Sequence, residues 1–179
     1  MPPLPPFAPD TRSPYPGRYP MTWEDIERSL VREAALRRPG TRPELWEELV
    51  KHRAMVECVL GSVNRIWLAG SFVSDKPDPS DVDLAYLVDA EVYAAITQPE
   101  DLADLANLGD REWCVKQGMR VDACILSLPA TVDFRDLGVT GAMAAGDGEI
   151  FQMLGLYDEI WQRCRTGGGL RRGYVEVAL

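Results

Sequence analysis

A strand–turn–strand pattern near the middle of the chain constrains its fold and chemistry more than any other feature. An apolar run ends in Gly70-Ser71, and nine residues later the chain reads Asp81-Val82-Asp83-Leu84. This pattern predicts a buried strand over about 65–69, a tight turn, and a second strand over about 81–88. Side chains alternate between the two faces of a strand, so we expect Asp81 and Asp83 to point the same way.

Two carboxylates directed at one point repel each other unless a cation lies between them. Mg²⁺ suits this arrangement, because it takes oxygen ligands and shares them with substrate phosphates. The glycine of the turn allows backbone to approach a phosphate closely, and the N–H groups and hydroxyl around Ser71 are donors to its oxygens. The residues therefore predict a site for a metal-bound nucleoside triphosphate.

The acidic segment admits two other interpretations. A calcium-binding EF-hand loop fails on spacing, because a loop starting at Asp75 places Pro77 and Pro79 at ligand positions. A loop starting at Asp81 places Ala85 at the fifth position. A proline-stiffened turn with solvated acids explains the acids before residue 80. It does not explain acids within an apolar strand, where each unpaired ion would cost several kcal/mol, as an order of magnitude.

Residues 70–83 read GSFVSDKPDPSDVD. This motif resembles the Gly-Ser and Asp-h-Asp-h signature (h is apolar) of the nucleotidyltransferase superfamily, which has the polymerase-β-like fold. It is most similar to a branch of small bacterial members, the minimal nucleotidyltransferases, with the motif GSF-x-x-x-K-x-x-P-x-D-h-D. Residues 17–24 also resemble the entry into the first helix of that group.

The resemblance implies a third carboxylate on a neighbouring strand, and Asp122 is the best candidate. The three acids Asp81, Asp83 and Asp122 would hold two Mg²⁺ ions about 3.5–4 Å apart. One ion activates an attacking hydroxyl with the help of Asp122, the other holds the triphosphate, and pyrophosphate leaves in line. Gly70 and Ser71 would bind the triphosphate.

Three basic residues have open roles. Lys76 either neutralises phosphate charge beside the Gly-Ser turn or is simply exposed, and the resemblance favours the first role. Arg171 and Arg172 follow a run of three glycines. They either close over a triphosphate or belong to a solvated hairpin loop, and Gly-rich composition favours the loop.

Length and composition restrict the protein further. A chain of 179 residues is expected to form one domain. No run approaches the 18 apolar residues of a membrane span, and the absence of a signal sequence at the N-terminus favours the cytoplasm. A net charge of −9 makes extended nucleic acid an unlikely partner. One histidine and four cysteines without a C-x-x-C pair argue against structural zinc.

The expected fold is α/β (α+β in stricter usage): a small mixed sheet with packed helices. Residues 1–20 hold eight prolines and are predicted to be a tail, with one nucleotidyltransferase-like domain over 21–179. Further predictions are a helix N-cap at Thr22 and a capping box over Thr41–Glu44. The helix that this box opens is predicted to bury the apolar stripe Leu45, Leu49, Val56 and Leu60, with His52 in the core or at its boundary. Predicted elements in the second half are two helices within 89–108, separated by a break near Gln98-Pro99, a strand over 119–126, a helix over 149–163 and a strand over 174–179.

These features predict an Mg²⁺-dependent enzyme that transfers a nucleoside monophosphate, foremost AMP, from an NTP to a hydroxyl of a protein or small molecule. The alternative is a nucleotidyltransferase-like antitoxin that binds a partner or toxin with little catalysis of its own. A structural relic without metal is the third hypothesis. The acceptor, the base preference and the oligomeric state stay open.

Overall fold

A five-stranded mixed sheet forms the centre of the protein. The structure is a computed structural model and describes residues 6–33, 40–128, 147–164 and 169–179. The strands are β1 (Gly17–Met21), β2 (Arg65–Ala69), β3 (Val82–Val88), β4 (Val121–Ser127) and β5 (Gly173–Ala178). They lie in the order β1-β5-β2-β3-β4. The β1–β5 and β3–β4 pairs are parallel, whereas β2 is antiparallel to both β3 and β5. This confirms the predicted fold class.

Helices occupy the connections between the strands, except the connection from β2 to β3. They are α1 (Trp23–Ile26), which continues as a π-helix (Glu27–Arg32), α2 (Arg42–Leu60), α3 (Ala90–Ala94), α4 (Pro99–Leu108), α5 (Arg111–Lys116) and α6 (Asp147–Gln162). The predicted N-cap is confirmed, since the Thr22 hydroxyl accepts a hydrogen bond from the Asp25 backbone N–H at 3.1 Å. The predicted break near Pro99 is also confirmed, because it separates α3 from α4. None of the described helices is long and apolar enough to cross a membrane.

One face of the sheet is packed against α2. The apolar stripe predicted for this helix (Leu45, Leu49, Val56 and Leu60) is buried. His52 is fully buried on the same helix, with Nδ1 2.8 Å from the Tyr86 hydroxyl of β3 and Nε2 2.9 Å from the Leu108 carbonyl. A carbonyl only accepts, so Nε2 carries the proton and Nδ1 accepts from Tyr86. The prediction of a core histidine is confirmed.

Helix α6 packs on the opposite face of the sheet. Its Trp161 ring lies 6.5 Å from the Trp67 ring of β2 and 6.2 Å from the Tyr174 ring of β5, in edge-to-face arrangements. Trp67 is opposite Ala85 in the β2–β3 ladder, so Asp83, two residues away from Ala85, shares this face. The candidate carboxylates of β3 and β4 therefore lie on the side of the sheet that α6 covers.

The proline-rich segment enters the sheet earlier than the sequence suggested. A tail over 1–20 was expected, yet β1 begins at Gly17 and runs parallel to β5. Pro20 is tolerated there because β1 is an edge strand with a neighbouring strand on one side only. The missing N–H of proline therefore does not disrupt pairing with a second strand. Residues 6–16 are also held by backbone hydrogen bonds. The Gly173 N–H donates to the Pro14 carbonyl at 2.7 Å, and the Asp75 N–H donates to the Arg12 carbonyl at 2.6 Å. Residues 1–5 lie outside the described part.

Candidate functional site

Asp83 and Asp122 lie side by side on neighbouring strands. They are direct partners in the parallel ladder between β3 and β4, so both side chains leave the same face of the sheet. Adjacent strands are about 4.8 Å apart, which brings two carboxylates to one place. The structure therefore brings together two of the three acids named from the sequence.

The Gly-Ser turn follows β2 directly beside these acids. Ala69, the last residue of β2, is the ladder partner of Asp83, so Gly70 emerges next to the Asp83 carboxylate. Gly70 has a φ of +70°, and a Cβ at this position would lie 1.7 Å from Oδ2 of Asp83. Only glycine fits between the turn and the acid.

Ser71 carries an unusual hydroxyl. Its Oγ is buried and has no hydrogen-bond partner within the described residues. A buried hydroxyl without a partner costs about 1–3 kcal/mol. A partner for this hydroxyl would become available only if the turn rearranges, for instance when a ligand binds beside it.

Asp81 has a different environment from Asp83. It precedes β3, and its carboxylate accepts hydrogen bonds from Arg111 at 3.2 Å and from the Ser80 hydroxyl at 3.1 Å. Over residues 6–33, 40–128, 147–164 and 169–179, no three or more His, Cys, Asp or Glu side chains are grouped closely enough to hold a metal ion. The positive charge beside Asp81 comes from the Arg111 guanidinium. A cluster of Asp81, Asp83 and Asp122 around a metal ion stays a prediction.

Two clefts meet at Asp83. The loop cleft, of about 390 Å³, is lined by Gly70, Ser71, Lys76, Asp81 and Asp83 together with residues of the N-terminal segment. The helix cleft, also about 390 Å³, lies on the other side of Asp83. Its lining includes Asp122 and the apolar or aromatic side chains Cys124, Tyr157, Ile160 and Trp161. Asp83, Cys164 and Arg172 line both. All six predicted site residues therefore line one cleft or the other.

Arg42 organises the loop that carries the Gly-Ser turn. Its side chain is 4 % exposed and donates hydrogen bonds to the carbonyls of Phe72, of Ser74 at 2.7 Å and of Lys76 at 2.9 Å. Burial lowers the pKa of Arg42 to about 10, with the charge of Asp75 acting in the opposite direction. The guanidinium is therefore charged at neutral pH and fixes three carbonyls of one loop.

Sequence reasoning missed Arg42 and assigned a different role to its neighbour. The predicted capping box does not form, because the Thr41 hydroxyl makes no cap hydrogen bond and instead donates to the Pro79 carbonyl at 2.6 Å. The start of α2 thus holds the site loop at two points. One signal was available: a cation in the first turn of a helix opposes the helix dipole and calls for another explanation.

Hydrogen bonds between Arg120 and Glu48 hold the strand that carries Asp122. The Arg120 backbone N–H donates to Glu48 Oε2 at 2.6 Å, and Arg120 Nε donates to Glu48 Oε1 at 3.0 Å. Burial raises the pKa of Glu48, but the hydrogen bonds from Arg120 outweigh it and the net shift is downward. Glu48 is therefore ionised at neutral pH and holds the start of β4 against α2.

Cys124 belongs to the wall of the helix cleft and is not suited to nucleophilic catalysis. Burial raises the pKa of its thiol to about 11, the charge of Asp122 acts in the same direction, and a hydrogen bond with Tyr157 acts against both. Thiolate is the reactive form of cysteine, so a thiol with this pKa is inert at neutral pH.

Three arginines lie at the end of α6, and they differ in their partners. Arg163 and Arg171 both pair with Glu159, at 3.0 Å and 2.8 Å. Arg172 instead donates from Nε to the Trp161 carbonyl at 3.1 Å and from its backbone N–H to the Gln162 carbonyl at 2.7 Å. Residues 165–168, part of the predicted Gly-rich loop, lie outside the described residues.

The comparison with protein families covers nearly the whole chain. The model of a family of unknown function (DUF6932) matches residues 5–178. The chain belongs to this family. The match to DUF6932 includes all five strands and both clefts. No curated protein and no solved structure matches the chain.

Proposed function

We propose that this protein is an Mg²⁺-dependent nucleotidyltransferase that transfers a nucleoside monophosphate, foremost AMP, from an NTP to a hydroxyl group. One observation carries the proposal: Asp83 and Asp122 lie in register on β3 and β4, directly beside Gly70 and the unpartnered hydroxyl of Ser71. Paired carboxylates suit a hard cation, and the turn supplies donors for phosphate oxygens.

The residues present fit the metal in part. Asp83 and Asp122 are adjacent oxygen donors of the kind that Mg²⁺ prefers, and Asp81 lines the loop cleft within reach of Arg111. We propose that Asp83 and Asp122 would hold the metal, with Asp81, now paired with Arg111, as a third oxygen donor. The metal, when bound, supplies charge stabilisation at the transferring phosphoryl group.

The protein's own groups supply the rest of the reaction. Gly70, Ser71 and Lys76 bind the triphosphate in the loop cleft, while Asp83 lies between the two clefts. The acceptor hydroxyl attacks the α-phosphorus, a new P–O bond forms, the bond from the α-phosphorus to the bridging oxygen breaks, and pyrophosphate leaves. Asp122 faces the acceptor side and takes the proton of the hydroxyl.

The surroundings favour some acceptors over others. The chain carries a net charge of −9, which opposes an extended nucleic acid, so we propose a hydroxyl of a protein or small molecule in the cytoplasm. The apolar and aromatic wall of the helix cleft suits an acceptor with an apolar flank.

A thermal-shift titration with each of the four NTPs, with and without Mg²⁺, tests this function. A ligand at a hundredfold excess over Kd stabilises the native state by about 2.7 kcal/mol. We expect an Mg²⁺-dependent rise of the melting temperature that Asp83→Asn and Asp122→Asn abolish. Asp104→Asn, the same chemical change on the exposed side of α4, serves as the control and keeps the rise.

A second measurement separates binding from catalysis. Pyrophosphate release from ATP and Mg²⁺, followed in the presence of small hydroxyl compounds and proteins, should depend on Asp122. If no NTP raises the melting temperature of the wild-type protein, the proposed enzyme function is wrong.

One observation favours the alternative of a partner-binding protein or antitoxin. Three apolar side chains of α6 are strongly exposed at helical spacing: Met153 (49 %), Leu156 (57 %) and Ile160 (48 %). Such a stripe is typical of a surface that a partner covers. Under this hypothesis the protein co-purifies with the product of a neighbouring gene and Leu156→Glu abolishes the complex, whereas NTP binding is dispensable.

A further inference from the structure

We propose that Arg172 binds the phosphates of an Mg²⁺–polyphosphate ligand at the junction of the two clefts. The inference rests on the proposed function and adds a ligand-binding residue to it. Arg172 lies on the turn before β5, far in sequence from the Gly-Ser motif, yet it lines both the loop cleft and the helix cleft. Of the residues shared by the clefts, it is the one with a permanent positive charge.

The backbone and side chain of Arg172 are held at the end of α6. The Gln162 carbonyl accepts from its backbone N–H at 2.7 Å, and the Trp161 carbonyl accepts from Nε at 3.1 Å. The last carbonyls of a helix have no partner within the helix and carry its negative dipole end, so a guanidinium suits this position. Because Nε is engaged, the two terminal nitrogens are the donors that remain for a ligand.

The neighbouring arginines show that Arg172 is distinct. Glu159 neutralises both Arg163 and Arg171. Within the described part of the chain, no carboxylate forms an ion pair with Arg172, and none forms one with Lys76. The loop cleft therefore contains two cations without an ion-pair partner among the described residues.

This set of donors defines the class of ligand. A forked guanidinium and an ammonium group around one cleft match an anion with several acceptor oxygens, as a polyphosphate has. Asp81 and Asp83 line the same cleft and would repel a bare anion. Binding should therefore require Mg²⁺, whose charge offsets the two acids.

Isothermal titration calorimetry with tripolyphosphate and with ATP, each with and without Mg²⁺, tests the inference. A hydrogen bond to a charged group contributes about 1.5–3 kcal/mol, so Arg172→Gln should weaken both Mg²⁺ complexes about 10- to 100-fold. Arg171→Gln removes the same charge one residue away and is the matched control, with an expected change below about twofold, because Arg171 already pairs with Glu159. Melting temperatures without ligand show whether each variant folds.

The outcomes are separable. Weakening in Arg172→Gln but not in Arg171→Gln supports the inference. An affinity of Arg172→Gln within about twofold of wild type, while the wild type binds, overturns the inference and leaves the proposed function standing. No binding of either ligand by the wild type overturns both. If Arg172→Gln does not fold, Arg172→Met decides: it keeps an unbranched side chain of similar length but removes the charge and the donors, and an unchanged affinity overturns the inference.

Discussion

Gly70→Ala should be far more damaging than its size suggests, because the new methyl group has to occupy the place of the Asp83 carboxylate. A Cβ at residue 70 would lie 1.7 Å from Oδ2 and 2.7 Å from Cγ of Asp83. The φ of +70° adds a second penalty, since alanine in the left-handed region costs about 1–2 kcal/mol. Displacing the acid adds about 1–3 kcal/mol, as for other overpacked sites.

Gly61→Ala separates these two effects. Gly61, which ends α2, has a φ of +75° and no atom within 4 Å of a built Cβ. Gly61→Ala should therefore lower the free energy of unfolding only through backbone strain. This cost is about 1 kcal/mol once the smaller entropy of the unfolded chain is counted. The difference between the two variants, about 1–3 kcal/mol, measures the collision with Asp83.

A double-mutant cycle assigns this difference to Asp83. In an Asp83→Ala background the nearest atom left from that residue is its Cβ, 3.3 Å from the new methyl group. Gly70→Ala should then cost about as much as Gly61→Ala, giving a coupling energy of about 1–3 kcal/mol between the two positions. Urea unfolding of the four proteins at constant m-value is the assay. Equal costs of Gly70→Ala in both backgrounds would refute the proposed contact.

Two further predictions concern groups that support the site. Arg42→Met removes the donor to the Phe72, Ser74 and Lys76 carbonyls and should lower the free energy of unfolding by about 3 kcal/mol. Arg32→Met, which breaks only an exposed ion pair, should lower it by less than about 1 kcal/mol, and similar losses in urea unfolding would contradict the role of Arg42. Burial lowers the pKa of His52, and the hydrogen bond to the Leu108 carbonyl offsets only part of this shift. Below about pH 6.5 the unfolded state therefore binds more protons than the native state. The free energy of unfolding should fall as the pH falls through the native pKa. His52 is the one histidine of the chain, so the His52→Gln variant should lack this component of the pH dependence; an unchanged profile between pH 7 and 5 would count against it.

The local parts of the site were readable from the sequence. The apolar run into Gly70 predicted β2 with its observed bounds, and the stripe of α2 predicted its buried face. Strand β3 begins at Val82, one residue after the predicted start. These features depend on periodicity and on the freedom of glycine, which act between residues close in sequence.

Only the tertiary structure decided which strands and side chains these local elements contact. The register that sets Asp122 beside Asp83 depends on a parallel crossover through three helices, and no local pattern encodes it. Arg42 reaches the Phe72 carbonyl across 30 positions, and β1 finds β5 at the other end of the chain. No signal in the sequence placed Arg111 next to Asp81, and the sequence did not separate Arg172, at the junction of the clefts, from Arg171. Periodicity determines which face a side chain takes, but packing over the whole chain determines what that side chain meets.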